Sequence, residues 1–522
     1  MSLSHEAASV RPMPNPSLPL LLDLLFTAAL GALQTLAFVN TRWWPLPFAC
    51  IAALSWRVNA AKPKRAASLG WAFGTGWLLA GTWWLFISLH RYGELPAWMA
   101  ATAVFALCAL LSIYLALAMA AFARYRSGRA GADALLFATV WMLAELARAI
   151  IFTGFPWVAT GYSQVDAPLS KLAPWVGVYG IGFTVAGLSA WAAFALRDAR
   201  AKPSDLLWPG SVSAALMAGG AVVSVGFTQP TTQLSVTLIQ GNIPQEEKFA
   251  AERQGGALTW HLNTLLAAQS DLVIAPETAI PVLPQQLPPD LWRDMSLHFK
   301  TQKTYALVGV PMGNDDAGYT NSAVGFGPKA GGGAGTSTSD YRYDKHHLVP
   351  FGEFIPTGFK WFTRMMNIPL GDFNRGPVTA PSFKVKAERV APNICYEDLF
   401  GEDLAARFVD AATAPTMFAN LSNIGWFGNS IAIPQHLNLS RMRALEFQVP
   451  MLRATNTGAT AVIDHQGVVT KSLPPHQRGV LQASVQGRSG VTPFAWWASR
   501  FYLWPLIAFA ALVLLWRAFK QR

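Results

Sequence analysis

The sequence predicts a two-part protein: a polytopic α-helical membrane domain of about eight spans, joined to an extramembrane α/β layered domain. Three observations lead there. Of 522 residues, 52% are hydrophobic, only 13% are charged and 21 are Trp, a balance that suits a protein partly in lipid. Apolar stretches near the roughly 20 residues needed to cross a bilayer core crowd residues 17–227 and recur at 501–516. Between them, residues 228–492 change to short β-branched runs separated by turns and amphipathic stretches.

Residues 1–16 are polar, carry Pro12, Pro14 and Pro16, and are expected to be disordered. Spans are expected near 17–39, 68–89, 96–123, 132–152, 171–196 and 206–227, with a shorter one at 43–56 and a last one at 501–516. The first has a weakly basic flank and no clear small-residue cleavage site, so it is expected to remain as an anchor. Basic clusters follow alternate spans: Arg57, Lys62, Lys64 and Arg65; Arg124, Arg126 and Arg129; Arg197, Arg200 and Lys202; then Arg517, Lys520 and Arg522. The intervening loops hold little beyond Arg42, Arg91 and Lys171. By the positive-inside rule both termini are cytoplasmic and the block 228–492 lies outside, which in a bacterium is the periplasm.

Within the spans Asp23, Glu145 and Arg148 stand out as ionisable; Glu145 and Arg148 are three apart, a spacing that lets them pair on one helical face. The outside loop 154–164 (Gly-Phe-Pro-Trp-Val-Ala-Thr-Gly-Tyr-Ser-Gln) cannot continue a helix, and its Trp157 and Tyr162 suit the interfacial aromatic belt. In the outer block, strands are expected at 234–240, 272–275, 306–310, 322–326, 341–343, 389–394, 416–419, 459–464 and 480–485, and helices at 246–269, 290–302, 401–411 and 433–447. The tract 329–340 is rich in Gly, Ser and Thr and reads as a flexible tip.

The chemistry centres on 390–398, Val-Ala-Pro-Asn-Ile-Cys-Tyr-Glu-Asp. An apolar run stops at a turn with Cys395 at its tip, an arrangement that exposes a thiol beside a backbone N–H. Cys50 and Cys108 lie in apolar spans and read as small buried hydrophobes, which leaves Cys395 unpaired in an oxidising compartment. Acyl transfer through a cysteine needs a base, oxyanion donors and a water-poor pocket. Glu277, after the buried-strand pattern Asp-Leu-Val-Ile-Ala-Pro at 271–276, is the candidate base. Lys345, after the aromatic run Tyr-Arg-Tyr-Asp at 341–344, is the candidate cation for thiolate and oxyanion, and the Tyr396 N–H would complete the oxyanion hole. His346 and His347 read as bystanders, because no histidine is required.

Glu, Lys and Cys in that order, each at a strand end, resemble the nitrilase (carbon–nitrogen hydrolase) superfamily. The resemblance implies an αββα sandwich and a second glutamate, here Glu353 in Leu-Val-Pro-Phe-Gly-Glu-Phe-Ile-Pro at 348–356, that orients Lys345. Glu397 looks like a further supporting carboxylate. The whole chain resembles the bacterial apolipoprotein N-acyltransferases, with matching local sequence at 154–164, 237–249, 275–278, 345–356, 393–398, 422–428, 435–446 and 452–458. One departure is visible: Asn423-Ile424-Gly425 stands before Trp-Phe-Gly where that family usually has Asn-Asp-Ala, so a loop carboxylate is absent. This resemblance implies a ping-pong reaction in the bacterial inner membrane: an acyl chain passes from a phospholipid, typically phosphatidylethanolamine, to a Cys395 thioester. From there it moves to the α-amino group of a diacylglyceryl-modified N-terminal cysteine of an apolipoprotein. Trp157, Tyr162, Asn423, Trp426 and Phe427 become candidates for substrate or lid contacts, and the apolar segment 359–366 a further lid.

The layout divides the chain into 1–16, a membrane domain 17–227, a periplasmic catalytic domain 228–492 and a last helix with its tail at 493–522. The competing reading is a membrane-tethered amidase acting on a small amide, for which eight spans are an extravagant tether. A transporter would show internal repeats, and none is seen. Nucleic acid is not an expected partner despite the net charge of +11, since the basic residues are largely used in topology. No metal-ligand spacing occurs and no cofactor is expected.

Overall fold

Strands that point apolar side chains alternately to two sides need a packed layer on each. In β1 (Thr228–Gln240), Leu234, Val236 and Leu238 enter one core and Ile239 enters another. The same alternation runs through β2 (Leu272–Ile274), β3 (Tyr305–Asn314), β4 (Gly318–Phe326) and β5 (Tyr341–Asp344). It continues in β6 (Phe383–Val385), β7 (Glu388–Ile394), β8 (Met417–Ser422), β9 (Met451–Thr455), β10 (Ala461–Ile463), β11 (Val469–Ser472) and β12 (Gly479–Gly490) in varying degree. The structure, a computed structural model, describes residues 19–197, 225–248, 251–328, 341–355 and 373–520. The expectations for 1–16, most of the span at 206–227, the tract 329–340, the segment 359–366, and Arg200, Lys202 and Arg522 fall outside these residues.

Two six-stranded sheets result, ordered β12-β1-β2-β3-β4-β5 and β11-β10-β9-β8-β7-β6. Each is parallel at its centre (β1–β2–β3 and β7–β8–β9) and antiparallel at its flanks. Leu234, Leu307, Val390, Leu421 and Leu452 fill the space between the sheets. The helices Ala251–Ala267 and Leu291–Gln302 cover the first sheet, while Ala432–Phe447 and Pro493–Phe501 cover the second. The order helix, sheet, sheet, helix is the expected sandwich. Three strands escape a reading by composition. β9 carries Arg453, β6 is three residues long, and β11 is largely exposed. Pro392 sits in β7 without breaking it, because β6 pairs only as far as Val390 and no ladder partner waits for an N–H at 392 on that side.

Among the described residues, four helices are long and apolar enough to cross a membrane: Leu20–Val39, Ala97–Tyr125, Ala130–Thr153 and Pro168–Arg197. Two bent pairs, Pro63–Thr82 with Leu85–Tyr92 (61°) and Pro493–Phe501 with Trp504–Phe519 (85°), raise the number to six if each is one span. The described residues thus hold four to six of the expected eight. The stretch at 43–56 becomes the helix Leu46–Asn59, whose 14 residues are too few to cross alone, and 206–227 is mostly outside the described residues.

Basic residues that follow separate spans converge at one end of the helical region. Asp23 pairs with Arg57 and Arg65, Arg126 donates to Val58 O and Ala61 O, and Arg197 donates to Trp56 O. Arg517 of the last helix joins them by pairing with Asp133 at 2.9 Å. The pairing expected of Glu145 and Arg148 does not form. Their helix ends at Ile150, and Phe152, Thr153 and Gly154 take left-handed φ of 56°, 73° and 84° to turn the chain back. The returning strand of loop has backbone groups inside the bundle that need partners. Arg148 Nη1 therefore donates to Trp157 O at 2.6 Å, and Glu145 Oε1 accepts from the Thr160 N–H and hydroxyl, both at 2.7 Å.

Candidate active site

The left-handed φ of 54° at Cys395 makes the elbow that the sequence implied. β7 stops at Ile394 and the chain enters the tight turn Cys395–Leu399. A non-glycine residue in this region costs on the order of 1–3 kcal/mol, and hydrogen bonds around the elbow offset it. Asn420 Nδ2 donates to Cys395 O at 2.8 Å and to Asn393 Oδ1 at 2.7 Å. Glu397 acts on the Lys345 ammonium from behind Glu353 and Glu277, and it also ties the backbone together. Its carboxylate accepts from the N–H groups of Ile394 (2.6 Å), His346 (2.7 Å) and His347 (3.0 Å) and from the Tyr343 hydroxyl (2.8 Å). One side chain thereby clamps the nucleophile's turn to the loop that carries Lys345.

Lys345 follows β5 and is 1% exposed. Its register comes from β4: the Lys345 N–H donates to Asn321 O at 2.8 Å. Its Nζ lies 2.9 Å from Glu353 and 3.5 Å from Glu277 Oε1. Asn321 Nδ2 bridges the same two carboxylates, at 2.7 Å to each. The second Glu277 oxygen accepts from the Asn423 N–H at 2.8 Å, and the second Glu353 oxygen from the Val349 N–H at 2.8 Å. Burial works against the Lys345 ammonium, but Glu353 and Glu277 outweigh it and hold the group above its ordinary value. The Cys395 thiol feels Glu277, Lys345 and Glu353. Burial first, and then the Glu277 carboxylate, push it up to about 12 against the pull of Lys345. The structure therefore brings Glu277, Lys345, Glu353 and Cys395 together.

The turn bearing Glu277 is possible because β3 presents no side chain beneath it. A Cβ on Gly309 would lie 2.4 Å from Pro276 O and 2.7 Å from both Glu277 Cα and Thr278 N. All three are main-chain atoms, so only a backbone shift relieves the clash. Gly309→Ala is expected to leave a folded protein whose Cys395 acylation is slower by about 100-fold, the usual effect of misplacing a base by about 1 Å. Single-turnover mass spectrometry reads it; a rate within threefold of wild type would show that Glu277 tolerates the move.

Other candidates take different places. Tyr396 is buried; its hydroxyl donates to Gly154 O at 3.2 Å and its ring packs on His347 and Phe400. Trp157 and Tyr162 do not stand in an interfacial belt, since each is 2% exposed beneath the outer block. Trp157 Nε1 donates to Gln435 Oε1 at 2.8 Å, and the Tyr162 hydroxyl donates to Leu399 O at 3.0 Å. Their polar tips meet carbonyl and amide acceptors 278 and 237 residues away in the chain, which outcompetes solvation at a membrane surface. Asn423 is buried as well: besides holding Glu277 it donates through Nδ2 to Gln245 Oε1 at 2.8 Å. Trp426 and Phe427 are half-buried against the bent pair, with ring centroids 5.4 Å from Tyr92 and 4.2 Å from Trp84. His346 and His347 hold carbonyls, Gly376 O at 2.7 Å and Thr153 O at 2.8 Å, and His347 also meets Asp403.

A second buried network lies behind the nucleophile. Asp398, three residues after Cys395, meets His436 Nε2 at 2.9 Å and Arg453 Nη1 at 3.1 Å, and accepts from Ser440. Burial raises the Asp398 carboxyl, but His436, Arg453 and Ser440 outweigh that and keep it below the usual carboxylate range. His436 Nε2 is also 3.3 Å from Cys395 O, so the network reaches the elbow itself. In the sequence, His436 and Arg453 lie within the family-like stretches 435–446 and 452–458 without a signal for a role, and Asn321 and Asn420 lie in strands with none. Only polarity at buried strand and helix positions marks them.

Comparison with known proteins follows the same division of the chain. Residues 30–191 match the family model described as apolipoprotein N-acyltransferase N-terminal domain, and residues 235–493 match carbon–nitrogen hydrolase. A protein of Verminephrobacter eiseniae named apolipoprotein N-acyltransferase is 49% identical over 523 residues, covering 94% of both chains. One of Ralstonia nicotianae with the same name is 46% identical, covering 90% of this chain and 88% of that one. One of Bordetella bronchiseptica, also so named, is 38% identical over 95% and 96% of the two chains.

Proposed function

Because this chain belongs to the apolipoprotein N-acyltransferase family, we propose that Cys395 carries the acyl group as a thioester between two lipid-anchored substrates. The protein is an N-acyltransferase of lipoprotein biosynthesis, with a lipoprotein as substrate and a membrane phospholipid as donor. The finer reading assigns phosphatidylethanolamine as donor and the α-amino group of an S-diacylglyceryl cysteine as acceptor. Glu277 takes the Cys395 proton as sulfur attacks the ester carbonyl carbon. Lys345 and the Tyr396 N–H stabilise the oxyanion, with Glu353 keeping Lys345 in place. Collapse breaks the ester C–O bond, and Glu277 returns the proton to the departing alkoxide to give the lysophospholipid. The acceptor nitrogen then attacks the thioester carbon, the C–S bond breaks, the amine loses a proton through Glu277, and Cys395 is restored.

The observation that carries this reading is the position of Cys395. It faces Glu277, Lys345 and Glu353, and it packs both on the inter-sheet core and on the apolar core of the helical region. An acyl chain anchored in the bilayer thus has an apolar route to the thiol, and holding the chemistry at the membrane raises the effective concentration of both substrates. The convergence of Arg57, Arg65, Arg126, Arg197 and Arg517 at one end supports that end as cytoplasmic. On this reading 17–227 and 493–522 hold the chain in the inner membrane, both termini are cytoplasmic and 228–492 is the periplasmic catalytic domain. The small-amide alternative is not favoured by relatives that share nearly the full length and the N-acyltransferase name.

The direct experiment incubates the full-length protein with phosphatidylethanolamine alone and takes its intact mass beside Cys395→Ala. One added acyl mass on the wild type only, with lysophospholipid released, is the expected result. A folded wild type that stays unmodified would remove this phospholipid as donor.

A further inference from the structure

Two buried cations beside the site take no part in the proposed steps: Arg453, which is paired with Asp398, and Lys248. Lys248 ends the short turn Gln245–Lys248 and is 4% exposed. Its Nζ donates to the main-chain O of Glu277 at 2.8 Å. The turn is held from three sides: the Lys248 N–H donates to Pro244 O at 3.1 Å, Gln245 Oε1 accepts from Asn423 at 2.8 Å, and Glu246 pairs with Arg91 at 2.7 Å. Two carboxylates, Glu277 and Glu353, face the single ammonium of Lys345, and a thiolate or oxyanion at Cys395 adds a further negative charge. Accumulated like charge in a buried site opposes that ionisation, and a cation in reach relieves it.

We propose that Lys248 is the second cation of the active site, fixing the Glu277 turn through its carbonyl and stabilising negative charge at Cys395. This rests on the reading of Cys395 as nucleophile. Lys248 acts through space and through Glu277, which makes it a positioning residue. Two titratable groups face it on the site side, Glu277 and Cys395, and both favour its charged form. Behind it lies His261 of the helix Ala251–Ala267, itself pushed down by burial and by the Lys248 charge. Burial outweighs the two favourable neighbours and brings Lys248 down to about 8, so its charge is lost within a range where the protein can be assayed.

The test uses the full chain in detergent and reads iodoacetamide modification of the Cys395 peptide against pH, for wild type, Lys248→Met and Lys248→Arg. No phospholipid is present, so a wrong donor assignment leaves the result untouched. Wild type is expected to bend near pH 8 as Lys248 loses its charge. Lys248→Met is expected to react about tenfold more slowly at pH 7.5, equal to raising the thiol by one pKa unit, and to lack the bend. Lys248→Arg keeps its charge throughout, so it should recover to within about threefold of wild type below the bend and also lack it. A Lys248→Met profile that superimposes on wild type overturns the proposal, as does Lys248→Arg reacting as slowly as Lys248→Met. If the Met variant does not fold, the Arg variant decides alone: loss of the bend supports the second cation, and its retention overturns it.

Discussion

Glu277→Gln is expected to slow acylation of Cys395 by about 10³–10⁴-fold, at the upper end of what a positioned base contributes. The expectation follows from the thiol. With burial and the Glu277 carboxylate pushing the Cys395 thiol up to about 12, the protonated form dominates near neutral pH. The proton must leave as sulfur attacks, and the carboxylate acting most strongly on that thiol is Glu277. A glutamine keeps the shape but not the basicity. It also leaves one donor facing another, because Asn321 Nδ2 and the Asn423 N–H each donate to a different carboxylate oxygen. The measurement is the single-turnover rate of acyl-mass gain with phosphatidylethanolamine. Acylation within tenfold of wild type would mean that another group takes the proton.

Arg453→Met is expected to destabilise the protein by about 3–5 kcal/mol, the usual result of removing one partner from a buried ion pair. Arg453 and Asp398 are 1% and 0% exposed, so no water replaces the lost guanidinium. Arg453 also donates to His436 O at 3.3 Å and to Ser440, and its Nη2 lies 3.2 Å from His436 Nδ1. That last contact suits the His436 tautomer with hydrogen on Nε2, where Asp398 and Cys395 O both wait as acceptors. The effect therefore spreads to the elbow, and acylation should fall along with stability. Thermal unfolding in detergent is expected to drop by roughly 10 °C. A midpoint within about 2 °C of wild type would show that His436 and Ser440 suffice for Asp398.

The two substitutions test features that were unequally visible in the sequence. Glu277, Lys345 and Cys395 could be picked out because each ends a run of strand-like residues, and hydropathy alone marked the helices that now qualify as crossings. The layered α/β block followed from alternation of strand and helix patterns. These are properties of consecutive residues, and local periodicity carries them.

Partner choice for buried polar groups was another matter. Glu145 and Arg148 have the spacing of a helical pair, yet each turns to the backbone of the returning loop. Glu397 reads as a supporting carboxylate, and the fold shows what it supports: it clamps two turns together. Trp157 and Tyr162 suit a bilayer surface by composition but find Gln435 and Leu399 O across the junction between the helical region and the sandwich. Lys248 is an ordinary basic residue until the fold lays its ammonium on the carbonyl of Glu277. By itself the sequence determined the family, the two-part architecture and the order of the proposed catalytic residues. Only the tertiary structure decided which donor meets which acceptor, because burial makes every polar group find a partner and the register that supplies it is set by contacts far apart in the chain.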